Sequence, residues 1–155
     1  MPVHALPLLL ALAAAPPPAA PDPALQRALR VLDHAILVDG HNDLPWAIRE
    51  WKEHPGDVLG YDLRGSAPGQ TDLARLRAGR VGAQFWSVYV PAELKSGWAR
   101  VQLEQIDVAR RVIAQYPDAL QLALTADDVE RARKRGRIAS LIGMDTFAGG
   151  QVVFR

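Results

Sequence analysis

The sequence contains a short apolar run that ends in polar residues, AILVDGHND at positions 35–43. Four consecutive apolar residues without alternation are typical of a strand that is buried on both faces, as in a parallel sheet. The polar residues that follow are of the kind that form a loop at a strand end. We therefore predict a buried parallel strand that carries His41 and Asp43 at its carboxyl end.

Two further apolar runs indicate strands of the same sheet, VGAQFWSVYV at 81–90 and IASLIGM at 138–144. Between them, apolar residues at helical spacing predict a helix from about 103 to 116 and a second from Thr125 to the glycine at 136. Strands that alternate with helices predict an α/β fold with a parallel sheet, as in a (β/α)8 barrel or a doubly wound domain. The sequence has no G-x-G-x-x-G turn after the first strand, which weakens the doubly wound dinucleotide-binding version.

Local signals predict the remaining elements. Asp22 can cap a helix that runs to about residue 34, and the pattern at 44–52 favours another helix. Prolines and glycines across 55–69 predict a long irregular loop. Thr71 is expected to cap a brief helix that ends before the glycine at 79.

Composition narrows the function classes. The formal net charge of +1 and the scattered charged residues give no basic stripe, so we expect no nucleic-acid partner. The chain has no cysteine, which excludes a disulfide or a thiolate metal site within these residues. A metal would have to be held by histidine and carboxylate side chains. The sequence gives no information on the oligomeric state.

The first 20 residues have the character of a targeting segment. An apolar run at 5–15 has about the length of a signal-peptide core and is too short to span a bilayer, and small residues follow it. We predict a signal peptide at 1–20, export to the periplasm or the medium, and no transmembrane helix. Residues 21–155 then form the mature part of the chain.

Reactive groups in parallel α/β folds gather at the carboxyl ends of strands. Here those positions hold His41 and Asp43 after the first strand, Tyr89 after the second and Asp145 after the third. His-x-Asp at a strand end can direct two ligands at one zinc ion, because side chains alternate with period two. Residues 41–43 also fit a capped loop that binds no metal. The His-x-Asp pattern alone therefore leaves open both a zinc site and such a loop.

Four ordered segments resemble the renal (membrane) dipeptidase family: LVDGHNDLPW at 37–46, LRAGRVGAQFWSVY at 76–89, LEQID at 103–107 and IASLIG at 138–143. Together with their order, they are far more specific than His-x-Asp. The resemblance implies a (β/α)8 barrel of the metal-dependent hydrolase kind with two zinc ions. It also implies cleavage of dipeptides that have a free terminal carboxylate, with little demand on their side chains.

The resemblance also implies roles for individual residues. His41 and Asp43 correspond to ligands of one zinc, and Trp46 and Tyr89 to residues that line the substrate pocket, although both rings could equally be packed in a core. Asp39 could orient the His41 imidazole or cap the turn. Asp145 stands where the family has a glutamate that bridges both metals, and it is one methylene shorter.

After residue 144 the sequence departs from the family, which continues with Glu-Gly-Gly-His and later supplies two histidines for the second zinc. Those histidines have no counterpart here. We therefore expect a zinc-dependent dipeptidase of which this chain is the N-terminal part of the barrel, incomplete and inactive by itself. The alternatives are an amidohydrolase-type enzyme for another amide or lactone, or a noncatalytic fragment from a frameshift or partial gene. The coding DNA beyond the Met144 codon would separate these.

Overall fold

The computed structural model describes residues 22–65, 67–145 and 151–153, so the predicted signal peptide at 1–20 lies outside the described residues. The helices are α1 Pro23–His34, α2 Leu44–Arg49, α3 Leu73–Ala78, α4 Trp98–Gln115 and α5 Ala126–Lys134. The strands are β1 Leu37–Asn42, β2 Val81–Ser87, β3 Leu120–Leu122, β4 Ile138–Asp145 and β5 Gln151–Val153. Within the described ranges, no helix combines the length and apolarity needed to cross a bilayer.

The strands form one sheet in the order β1-β2-β4-β3. All three pairings along this order are parallel, and β5 pairs antiparallel with the carboxyl end of β4. The predicted α/β fold with a parallel sheet is therefore confirmed. Because β1, β2 and β4 run in the same direction, their carboxyl ends lie at one edge of the sheet, where the candidate site residues follow them.

The sequence interpretation counted three strands, and the described residues contain five. Strand β3 lies between α4 and α5, where the sequence predicts two consecutive helices. This strand has only three residues, and its partners lie far along the chain, with Leu120 opposite Ile138. A strand that short is specified by its pairing with β4 rather than by a periodic pattern of its own.

The prediction that the first strand is buried on both faces was wrong. Leu37 is 38% exposed and Val38 is 50% exposed. Among the described residues β1 pairs only with β2, so it is an edge strand, and α1 in front of it has no buried residue. An apolar run predicts a strand that can be buried. Whether it is buried depends on the strands and helices that pack against it.

Most helix ends follow the local signals. The Asp22 carboxylate accepts a hydrogen bond from the Ala24 amide at 2.9 Å, and Thr125 forms a capping box with Asp128 at the start of α5. Gly136 has a φ of +66°, which suits the left-handed turn after that helix. Two starts differ from the prediction. The cap of α3 is Asp72 instead of Thr71, because the Asp72 carboxylate accepts from the Arg75 amide at 2.7 Å. Helix α4 begins at Trp98, before the predicted start near residue 103.

The main core lies between the sheet and helices α2 and α4. The predicted loop is confirmed as irregular over residues 50–72, apart from Ser66, which is not described. It nonetheless contributes four buried side chains to this core, namely Val58, Tyr61, Leu63 and Ala67. Tyr116, just after α4, fixes the loop, because its hydroxyl accepts a hydrogen bond from the Leu63 amide at 2.8 Å and donates to Asp62 at 3.2 Å.

Candidate active site

The end of β1 brings two of the predicted metal ligands together. Nε2 of His41 lies 3.1 Å from Oδ1 of Asp43. The side chains are 44% and 56% exposed, respectively, so both remain accessible from solvent. Since strand side chains alternate, the two residues can point to the same side of the chain. This is an imidazole and carboxylate pair at the carboxyl end of a parallel strand.

The side chain of Asn42 caps the helix that follows, and this leaves the Asp43 carboxylate uncommitted to the cap. Asp43 occupies the N-cap position of α2 but makes no capping hydrogen bond through its side chain. Instead Oδ1 of Asn42 accepts from the Leu44 amide at 3.1 Å. As a result, the Asp43 carboxylate can contact His41 while the first turn of α2 still has a polar partner.

A polar network holds the end of β1 in place. Nδ2 of Asn42 donates to the Thr71 hydroxyl at 3.0 Å and lies 3.5 Å from Oε1 of Gln84. Gln84 is fully buried in β2, and its Nε2 donates to the carbonyls of Phe85 at 3.1 Å and Asp39 at 3.4 Å. These contacts tie β1, β2 and the long loop together directly beneath His41 and Asp43.

Sequence reasoning missed Asn42, Thr71 and Gln84 as residues that support the site. For Gln84 a signal was available, because a single glutamine inside the apolar run VGAQFWSVYV has to find hydrogen-bond partners when it is buried. For Thr71 no local signal could distinguish a contact with Asn42 from the helix cap that was predicted.

Asp39 makes the turn contact that was one of its two predicted roles. Its Oδ1 accepts from the backbone amide of His41 at 3.2 Å. This contact shapes the chain just before the imidazole. The other role, orientation of the imidazole itself, stays a prediction.

The two residues predicted to line the substrate pocket lie against each other. The rings of Trp46 and Tyr89 meet edge to face, with centroids 5.3 Å apart and planes at 86°. Both side chains are half-buried, so each keeps part of its surface in solvent. Trp46 is on α2, one helical turn beyond Asp43, and Tyr89 follows β2. Contact with a substrate stays a prediction.

Helix α4 supports both aromatic residues. Nε2 of Gln102 donates to the Val88 carbonyl at 2.9 Å, and Nε2 of Gln105 donates to the Tyr89 carbonyl at 3.3 Å. Next to Trp46, the Arg49 guanidinium lies 5.9 Å from the indole centroid and pairs with Glu104 at 2.7 Å. Hydrogen bonds lower the pKa of the Glu104 carboxyl, most strongly the one from Arg100 and next the one from Arg49. The lowered pKa keeps this carboxyl ionised.

Asp145 is the last residue of β4, but its side chain lies outside the described residues, so its role as a ligand stays a prediction. Of the other histidines, His54 packs its ring edge against Trp51, with centroids 5.1 Å apart. Trp86 is 1% exposed, as expected for a core residue. Among the described residues, no group of three or more histidine and acidic side chains could hold a metal ion.

Comparison with known proteins places the chain in a family. The model of the membrane dipeptidase family, peptidase family M19, matches residues 25–152. The chain is 41% identical over 133 residues to dipeptidase ataJ of Aspergillus terreus and 44% identical over 126 residues to dipeptidase 3 of Mus musculus. Both alignments cover 80% of this chain, but only 32% and 24% of those relatives, respectively. The chain therefore spans about a third of the length of these relatives, or less.

Two solved structures have the same fold over part of their length. The probable dipeptidase PvdM from Pseudomonas aeruginosa superposes with a TM-score of 0.61 at 16% identity, over 81% of this chain and 32% of that one. A metallopeptidase from Rhodobacter sphaeroides gives 0.57 at 18% identity, over 71% of this chain and 38% of that one. The sheet and its helices thus correspond to part of a barrel-like dipeptidase fold, and the sequence match over residues 25–152 shows that the chain belongs to the membrane dipeptidase family, peptidase family M19.

Proposed function

We propose that the protein to which these residues belong hydrolyses dipeptides with zinc, and that His41 and Asp43 hold one of the ions. The observation that carries this proposal is the 3.1 Å approach of His41 Nε2 to Asp43 Oδ1 at a strand end, in a chain of the M19 family. Imidazole nitrogen and carboxylate oxygen are both ordinary zinc donors. The pair therefore fits the metal in donor type.

The donor set needs a third protein ligand, since catalytic zinc sites commonly have three and leave one position for water. We propose Asp145 for that place, because it ends β4, two strands away from β1 in the same parallel sheet. An aspartate there is one methylene shorter than the glutamate that the resemblance implies. We therefore expect Asp145 to reach one ion more easily than to bridge two.

A zinc ion at this position would lower the pKa of a bound water to about 7 and polarise the scissile carbonyl. The residues of this chain would do the remaining work. His41 and Asp43 would fix the ion relative to the sheet, and Asn42 would hold both by anchoring the strand end. Trp46 and Tyr89 would give the substrate an apolar wall beside the metal.

Dipeptides are the substrate class that we propose. The Rhodobacter sphaeroides metallopeptidase was solved with a phosphinate mimic of the dipeptide L-Ala-D-Ala. A substrate with such small side chains suits a wall of two aromatic rings, whose faces offer an uncharged apolar surface. We also propose that the protein is exported by the signal peptide predicted at 1–20.

We further propose that these 155 residues alone do not catalyse the reaction. Their four histidines are His4, His34, His41 and His54. All four precede the end of the third predicted strand, whereas the resemblance assigns the second zinc to two histidines after it. Two-metal hydrolysis uses both ions to position nucleophile and carbonyl, so a single weakly held zinc is not expected to suffice.

The experiment compares two proteins in an assay of zinc-dependent amino acid release from L-Ala-D-Ala. The first is the 155-residue chain, and the second is a dipeptidase of the relatives' length in which residues 25–143 replace the matching segment of ataJ. We expect turnover only from the longer protein, and its loss in the His41→Ala variant but not in the His54→Ala control. A folded, zinc-loaded longer protein that leaves dipeptides intact contradicts the proposed function.

A further inference from the structure

A basic cavity lies at the opposite end of the sheet from His41 and Asp43. Its volume is about 330 Å³, and it is bounded by residues just before or at the start of β1, β2 and β4, including Ile36, Val81 and Ile138. The candidate metal ligands lie at the carboxyl ends of β1 and β4, so the cavity is separate from the proposed site. A volume of this size is at the lower end of the range for small-molecule pockets, which begins at roughly 300 Å³.

Four arginines line this cavity, namely Arg77, Arg80, Arg133 and Arg137, against the single carboxylate of Asp33. The lining therefore has a net charge of three positive units, although the whole chain has a formal net charge of only +1. Like charges that converge on one concave surface repel each other, and a low-dielectric wall strengthens the effect. A bound anion would relieve that repulsion.

Two of the four arginines are already engaged. Arg80 pairs with Asp33, which neutralises the one acidic group of the lining. Arg133 donates to the carbonyls of Asp33 at 2.9 Å and His34 at 3.1 Å, at the end of α1. These bonds hold the arginines at the wall of the cavity, and the positive charge of Arg133 is not cancelled by a carboxylate.

The guanidinium groups of Arg77 and Arg137 have no hydrogen bond or ion pair within the part of the chain that the structure describes. Arg77 lies in the field of Asp118, but that carboxylate is already paired with Arg64 at 2.6 Å. The rigid fork of a guanidinium matches the oxygens of phosphate and carboxylate groups. Two uncommitted forks in one small cavity are thus available for a multivalent oxyanion.

We propose that this cavity binds a compact oxyanion with two or more negative charges, held mainly by Arg77 and Arg137. Such a ligand could be a phosphate compound or a polycarboxylate, because a guanidinium binds both through the same paired oxygens. The proposal is independent of the metal site, since none of its residues contacts His41 or Asp43.

The test is calorimetric titration of the 155-residue chain at low salt, with inorganic pyrophosphate in one arm and citrate in the other. We expect saturable binding of at least one of the two anions. The anion that binds more tightly shows whether the cavity prefers a phosphate compound or a polycarboxylate. The Arg77→Gln/Arg137→Gln double variant should bind about tenfold more weakly or worse, because two unit charges are lost from the cavity. The matched control is Arg110→Gln/Arg111→Gln on α4, which removes the same charge elsewhere and should bind normally.

A second variant separates a loss of anion binding from a loss of the fold. Arg80 has a φ of +55°, a left-handed conformation in which glycine is unstrained. Arg80→Gly should therefore keep the fold, checked by circular dichroism, while it weakens anion binding. The proposal is overturned if neither anion binds saturably, or if the cavity variants and the α4 control bind equally well.

Discussion

The side-chain amide of Asn42 and the hydroxyl of Thr71, 29 residues apart in sequence, are hydrogen-bonded at 3.0 Å. The bond joins the end of β1 to the end of the long loop before α3. Asn42 also accepts from the Leu44 amide and approaches buried Gln84. One side chain thus caps α2 and fixes the strand end that carries His41 and Asp43.

Asn42→Ala should lower the free energy of unfolding by about 1–3 kcal/mol, because it removes a helix cap and leaves buried polar groups without a partner. Urea unfolding of the two proteins measures the difference. The control is Thr71→Ser, which keeps the hydroxyl and should change stability by less than about 0.5 kcal/mol. Equal stability of Asn42→Ala and the unmodified protein would show that the network does not hold the strand end.

Tyr116→Phe should also destabilise the protein, by about 1–3 kcal/mol, since the Leu63 amide would remain buried without an acceptor. The matched control is Tyr89→Phe, because the Tyr89 hydroxyl makes no hydrogen bond with any residue of the described ranges. Chemical denaturation of both variants gives the comparison. If both substitutions lower the free energy of unfolding by the same amount, the loop at 50–72 does not depend on the Tyr116 hydroxyl.

The capping box of α5 should make stability depend on pH in acid. Hydrogen bonds from the Leu124 amide, the Thr125 hydroxyl and Arg131 lower the pKa of Asp128 from 3.8 to about 2. A carboxyl with a depressed folded-state pKa stabilises the protein above its unfolded pKa, and this contribution is lost as pH falls toward the folded value. The contribution of Asp128 should therefore be complete above about pH 4 and disappear between about pH 4 and 2.

The measurement is the stability difference between the unmodified protein and Asp128→Asn, obtained by urea unfolding at several pH values. The difference should be largest near neutral pH and shrink through the acid range. Asp127→Asn serves as the control, because Asp127 lies in the same helical turn outside the capping box. A stability difference for Asp128→Asn that stays constant down to pH 2 would exclude the proposed charge effect.

Export can be tested directly on protein recovered from the exported fraction of a host that expresses the chain. N-terminal sequencing should find a new first residue near position 20, because a signal peptide is removed on export. Recovery of protein that still begins with Met1 would contradict the predicted signal peptide.

Local chemistry made part of the fold predictable from sequence. Helix caps such as Asp22 and Thr125 act within three residues, and the turn glycine at 136 needs only its own backbone conformation. The long apolar runs at 81–87 and 138–144 likewise identify strands without knowledge of their neighbours.

What sequence reasoning missed depends on contacts between distant residues. Strand β3 exists because Leu120 pairs with Ile138, and the exposure of Val38 reflects the missing neighbour of an edge strand. The site shows the same division. The motif identified His41 and Asp43, but the support from Gln84 becomes visible only when β1 and β2 lie side by side.

The proposed binding of zinc by His41 and Asp43 can be measured by a zinc titration of the 155-residue chain, followed by NMR of the imidazole nitrogens. The His41 ring signals should shift saturably, whereas those of His54, packed against Trp51, should not. Asp43→Ala should weaken the effect at His41 by about tenfold or more, and the Asp127→Ala control should leave it unchanged. A His41 ring that does not respond to zinc, or that responds equally in Asp43→Ala, would show that the two side chains do not hold the ion together.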